Sequence, residues 1–165
     1  MGDFDFSPKN EYLVHSLMSV LDIRMREIIR EDKGGSYGVG VWCDVYRIPK
    51  ANYSINIDFG CDPKRVDELT KAAFSIIDST KTFGTSPETL AKVKEIQIRQ
   101  HEVNVKTNSY WNQTLSGYLR NSDDLAAISG YPKWVDDLSM NDIKEYCNKY
   151  FKKDYVKITL LPEVK

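Results

Sequence analysis

Residues 24–45 read R-M-R-E-I-I-R-E-D-K-G-G-S-Y-G-V-G-V-W-C-D-V, and the hydrophobic period changes half-way along them. Upstream, Leu13, Leu17, Val20 with Leu21, and Ile28 fall on one stripe, widened by Val14, Met18, Met25 and Ile29. That is the i, i+3, i+4 pattern of a long helix with a broad buried face. It predicts a helix from Asn10, as N-cap, to about Asp32, with Lys33-Gly34-Gly35 as the stop. Downstream the period is two: Tyr37, Val39, Val41, Cys43 and Val45 alternate with Gly38, Gly40, Trp42, Asp44 and Tyr46. After a break at Pro49, Tyr53, Ile55, Ile57 and Phe59 alternate with Ser54, Asn56, Asp58 and Gly60. Two such strands with a short connection predict an antiparallel hairpin covered on one face.

Working outward, Asp62-Pro63 caps a helix whose stripe is Val66, Leu69, Ala73, Ile76 and Ile77, with Gly84 beyond its end. Ser86-Pro87 opens another, running to about Lys106 with Leu90, Val93, Ile96 and Val103 inward. A helix is expected from Ser109 to Arg120, a loop from Gly130 to Leu138, and a helix starting at the capping box of Ser139 and Asp142 with Ile143, Cys147, Tyr150 and Phe151 inward. A last strand is expected over Tyr155–Leu161. The order α-β-β-α-α-α-α-β implies an α+β fold, a two-layer sandwich with helices on one face of a mostly antiparallel sheet. Phe4 and Phe6 read as the tail of a strand whose body lies upstream, so the sheet is expected to lack its first strand or strands. Residues 1–165 are accordingly expected to be one domain of a longer protein.

Composition narrows the function. The 165 residues carry 23 basic and 24 acidic side chains, a formal net charge of −1, which lacks the electrostatic footprint of a nucleic-acid binder. No apolar run approaches the roughly 20 residues that span a bilayer, so no membrane partner is expected. Cys43, Cys61 and Cys147 include no CxxC pair and fit small buried hydrophobes, which leaves the redox compartment open.

Catalytic patterns fail in turn. His101-Glu102 begins like H-E-x-x-H, but Val105 stands where the second histidine belongs, and His15 lacks the partners of H-x-x-E-H. There is no G-x-S-x-G elbow. The glycine-rich run at 34–40 lacks the Lys-Ser/Thr of a phosphate loop and precedes a strand rather than a helix. Core packing accounts for Trp111 and Tyr118, and no basic stripe accompanies them, Tyr131 or Trp134 for base stacking. What remains is Arg30 in a last helical turn, a position the helix dipole favours on its own, and Tyr37 entering a strand.

The stretch L-x-x-R-M-R-E-I-I-R-E-D-K-G-G-S-Y-G-V-G-V at 21–41 resembles the C-terminal half of the pitrilysin/insulinase family of zinc peptidases, the inverzincins. The resemblance extends over F-D-F-S-P-K-N at 4–10, Y-S-I-N-I-D-F-G-C-D-P at 53–63 and S-P-E-T-L-A-K-V-K at 86–94, and is closest to the large bacterial, PqqL-like members. It implies the last of four homologous domains enclosing a chamber, with zinc held in the N-terminal half of the parent protein and no metal ligand or catalytic residue in this chain. It implies partners in that N-terminal half and in a peptide or unfolded protein substrate, inactivity of the chain alone, and a periplasmic location for the parent. It assigns substrate binding to Arg30 and Tyr37, which keep the family's seven-residue spacing. Strict alternation gives Tyr37 the parity of Val39, on the covered face, so a chamber-facing Tyr37 requires the alternation to break at the strand mouth. Gly38 and Gly40 permit that break. A scaffold or assembly domain of the same fold, as in respiratory-complex core proteins, is the alternative.

Overall fold

In the computed structural model, which describes residues 1–32 and 36–161 and only the main chain of Glu31, Asp32 and Tyr37, the first helix starts at Ser7 rather than Asn10. Helix α1 (Pro8–Met25) has Pro8 in its first turn, and Ser7 Oγ accepts the amide of Asn10 at 3.1 Å. Asn10 instead ties down its surroundings: its Nδ2 donates to the Asp5 carbonyl and its Oδ1 accepts from the Tyr146 hydroxyl. The helix continues as a π-helical turn, Arg26–Asp32, and its expected glycine stop lies outside the described residues.

The hairpin forms as the alternation requires. Strands β2 (Ser36–Tyr46) and β3 (Asn52–Cys61) pair antiparallel, with Val41 opposite Ile57 and Cys43 opposite Ile55. Their connection includes a cis Ile48–Pro49 bond. Strand β1 (Gly2–Asp3) lies antiparallel on the other edge of β3, opposite Tyr53 and Asn52, in the order β1-β3-β2. Val39 and Cys43 are buried beneath α1, whereas Trp42 and Tyr46 on the opposite face are exposed.

Four more long helices follow: α2 (Val66–Phe83), α3 (Pro87–Asn104), α4 (Asn108–Asn121) and, after the short α5 (Tyr131–Asp137), α6 (Met140–Tyr150). Helices α3 and α6 start on the caps read from sequence, Ser86 and the complete capping box of Ser139 and Asp142, whereas Asp62 caps a 3-10 turn (Pro63–Arg65) ahead of α2 and Thr107 caps α4. Gly84 ends α2 at φ 76°, and a Cβ there would stand 2.6 Å from the Met140 carbonyl, so a side chain is excluded on both counts. Helix α1 packs against β2 on one side and against α2, α3 and α6 on others. Leu17, Leu21, Met25 and Ile29 are consequently shut off from solvent. Its polar residues are matched inside: Tyr12 donates to Gln97 Oε1 at 3.0 Å, and Gln97 Nε2 donates to Ser16 Oγ at 2.8 Å. The Arg24 guanidinium bonds Thr80, Ser79 and the Gly84 carbonyl, fixing the end of α2 to α1.

Four expectations are corrected. Ile96 and Val103 are exposed; of the expected stripe Val93 is buried, joined by Thr89, and the contact of α3 with α1 runs through the polar Gln97. Trp111 is not core but 40% exposed, held by its Nε1 bond to the Val105 carbonyl. Gly130–Leu138 is helical: Asp124 caps a 3-10 turn (Leu125–Gly130) that leads into α5, where Tyr131 and Trp134 pack on Tyr12. Tyr155–Leu161 joins no sheet. It runs extended past α2, with the Tyr155 ring 4.8 Å from Phe74 and Lys157 paired to Asp67, while Val156, Ile158 and Leu160 stay 80–92% exposed. Among the described residues no strand lies beside it, so its alternation finds no ladder.

All three cysteines are free, Cys43 and Cys147 buried and Cys61 half-buried. Burial pushes the Cys43 thiol up to about 11 and that of Cys147 to about 12. Iodoacetamide at mildly alkaline pH should therefore label Cys61 in the folded chain, with Cys43 and Cys147 labelled only after urea, as peptide mass spectrometry would read. Because the unfolded thiols ionise near 9 and the folded ones higher, stability conferred by these two sites is complete below pH 9 and is lost as pH climbs through about 11 and 12.

Candidate functional site

Arg30 owes its position to the residue before it. Ile29 is fully buried, continuing the four-residue spacing of Leu21 and Met25 through the wider π turn, and the next side chain emerges at the surface. Arg30 is exposed, and among the described residues nothing forms a hydrogen bond or ion pair with it. Its neighbours are engaged: Arg26 pairs with Asp22 at 2.8 Å and Glu27 with Lys92 at 3.2 Å.

The π turn packs against β2, which brings the main chain of Tyr37 to the same end of the molecule. There the ladder is irregular. Ser36 pairs with Cys61 and Gly38 with Gly60, so β2 spends one residue more than β3, and that residue is Tyr37. The main-chain ladder is thus irregular at the mouth of β2, between Ser36 and Gly38. The Tyr37 side chain lies outside the described atoms.

Sequence reasoning missed Ser36, which latches this irregularity. Its Oγ accepts the Gly38 amide at 3.2 Å and lies 2.6 Å from the Gly38 carbonyl and 2.9 Å from the Gly60 carbonyl, to one of which its hydroxyl donates. The signal available was a serine two residues before a glycine at a strand mouth, the setting of a side-chain turn. Beside the latch, Gly38 and Gly60 face each other with open space where their Cβ atoms would be, leaving bare peptide at the surface.

The described residues do not fit a zinc ion. His15 is exposed on α1, His101 stacks on Tyr131 at 4.7 Å, and among the described residues no three His, Cys, Asp or Glu side chains gather as ligands. Burial lowers the His101 pKa, in keeping with a ring packed on an aromatic neighbour.

Residues 7–97, more than half of the chain, match the family described as the peptidase M16 inactive domain. In an alignment 123 positions long that covers 68% of this chain, it is 30% identical to the probable zinc protease PqqL of Haemophilus influenzae, of which it spans 13%. Its fold superposes on the periplasmic protease PqqL of Escherichia coli with a TM-score of 0.74 at 20% identity, covering 90% of this chain and 17% of that one. The ferredoxin protease FusC, solved in complex with Arabidopsis ferredoxin, gives a TM-score of 0.75 at 16% identity, covering 93% of this chain and 17% of that one.

Replacing Ser36 by Ala should remove the latch without unfolding the chain. Hydrogen exchange at the Gly38 amide is expected to quicken by about 2- to 10-fold, the loss of one net hydrogen bond, with the urea midpoint nearly unchanged.

Proposed function

The chain belongs to the peptidase M16 inactive-domain family, and we propose that it serves a longer zinc peptidase as the C-terminal domain that closes the proteolytic chamber and holds the substrate peptide. In this reading residues 1–165 are a single domain, inactive alone, that works against the zinc-bearing N-terminal half of the same protein. The observation that carries it is Arg30, an exposed guanidinium without a partner among the described residues, beside a strand mouth whose ladder is broken at Tyr37.

The chemistry suits those two residue types. Zinc in the partner half would polarise the scissile carbonyl. Peptide cleavage builds negative charge on carbonyl oxygen, and donors already aimed there stabilise the transition state without reorganising. Arg30 offers a permanent charge with several N–H donors, and Tyr37 one O–H. The two need no proton transfer of their own; they orient peptide backbone. The bare peptide at Gly38 and Gly60 supports the same reading, since a bound chain can approach closely there. The complex of FusC with ferredoxin favours a protein-derived substrate, and the periplasmic description of the Escherichia coli relative favours the same compartment for the parent.

The test mixes the purified chain with the separately purified catalytic half of its parent and follows a quenched peptide. The chain alone should cleave nothing, and the mixture should cleave. An Arg30→Ala, Tyr37→Phe variant, its fold checked by circular dichroism, should lower kcat/KM by about 10²–10³, the cost of losing oxyanion-type donors. Full activity of that variant would reject the roles assigned to the pair, and an inert mixture would favour the scaffold alternative.

A further inference from the structure

The sheet face away from α1 is uncovered, and its side chains follow from the register. Along β2 the outward row is Gly40, Trp42, Asp44 and Tyr46, and along β3 Asp58 and Asn56 stand opposite Gly40 and Trp42. Trp42 is 44% and Tyr46 52% exposed, so Asp44 lies between two open aromatic rings. Asp58 leans over Gly40, where a Cβ would come 2.5 Å from its Oδ1 and 3.3 Å from the Trp42 ring; the missing side chain lets carboxylate and indole share that space. Asn56 Nδ2 donates to Asp44 Oδ2 at 3.3 Å and steadies it. Among the described residues neither carboxylate has an ion-pair partner, and no lysine or arginine occupies the outward rows.

We propose that this face is a subsite for a lysine or arginine side chain of a bound polypeptide, its alkyl stem and cation lying on Trp42 between Asp44 and Asp58. The inference rests on the peptide-holding function above and adds a charge preference to it. An aromatic face attracts a cation within about 6 Å of its centre, and two flanking carboxylates add to that attraction while repelling acidic side chains and phosphates. The residue that binds is set by distance. Trp42 is five residues along β2 from Tyr37, about 17 Å at the rise of a strand, so an extended peptide gripped near Arg30 presents to Trp42 a side chain roughly five positions away.

The experiment uses a fluorescein-labelled unstructured peptide containing a Lys-Arg pair and its twin with Glu-Glu in the same places, titrated with the full chain and read by anisotropy. The basic peptide should bind about five- to tenfold more tightly, with the preference shrinking at high salt. Asp44→Asn with Asp58→Asn should bring the ratio to within about twofold, and Trp42→Leu should weaken the basic peptide alone. These substitutions sit on an exposed face, and circular dichroism verifies the fold. Equal binding of both peptides to the unaltered chain, or an undiminished preference in the double variant, overturns the subsite while leaving the peptide-holding function intact. Binding of neither peptide overturns both.

Discussion

Enclosure of α1 by the sheet and three helices is the constraint from which the other features follow. A helix apolar on most sides must be enclosed on most sides, and here the sheet lies against one flank while α2, α3 and α6 close the others. Leu17, Leu21, Met25 and Ile29 form one continuous line within that enclosure, which fixes the rotation of the helix about its axis. Because the π turn is a continuation of the same line, the core decides which side chain leaves the surface at the helix end. Arg30 is thus positioned by the buried line that ends at Ile29, the residue before it, with no polar contact required to aim it.

Polar groups inside the enclosure make its packing specific. Tyr12, Gln97 and Ser16 pair among themselves between α1 and α3, and Arg24 binds two hydroxyls and a carbonyl at the end of α2. An unpartnered polar group there would lose its hydration for nothing, so these contacts discriminate one arrangement of helices from neighbouring ones. At the opposite end, Phe4 stacks on Tyr150 at 5.5 Å and Tyr53 donates to the Tyr150 carbonyl, anchoring the short β1 to α6 as well as to the sheet.

The features legible in sequence were those a local rule determines. Alternation over Val39–Val45 and Tyr53–Phe59 placed the hairpin and its covered face, and Ser86-Pro87 and Ser139 with Asp142 placed two helix starts, since capping needs only neighbours in the chain. Rules that need a partner elsewhere misled. Ile96 and Val103 kept helical spacing but met no facing surface, and Tyr155–Leu161 kept strand spacing without a neighbouring strand. Asn10 had the composition of a cap, yet Ser7 with Pro8 took that place and freed Asn10 for a distant tyrosine. In the candidate site, the family resemblance singled out Arg30 and Tyr37, but the ladder break between Ser36 and Gly38 depends on where β3 ends and is a property of the pair of strands.

The extended run Tyr155–Leu161 has a practical side. Its aliphatic groups meet water on both faces, and its peptide groups find no ladder among the described residues, so it resembles an open edge of the type that templates intermolecular pairing. Solubility in concentrated preparations would therefore be governed less by the enclosed helices, whatever their stability, than by these few residues.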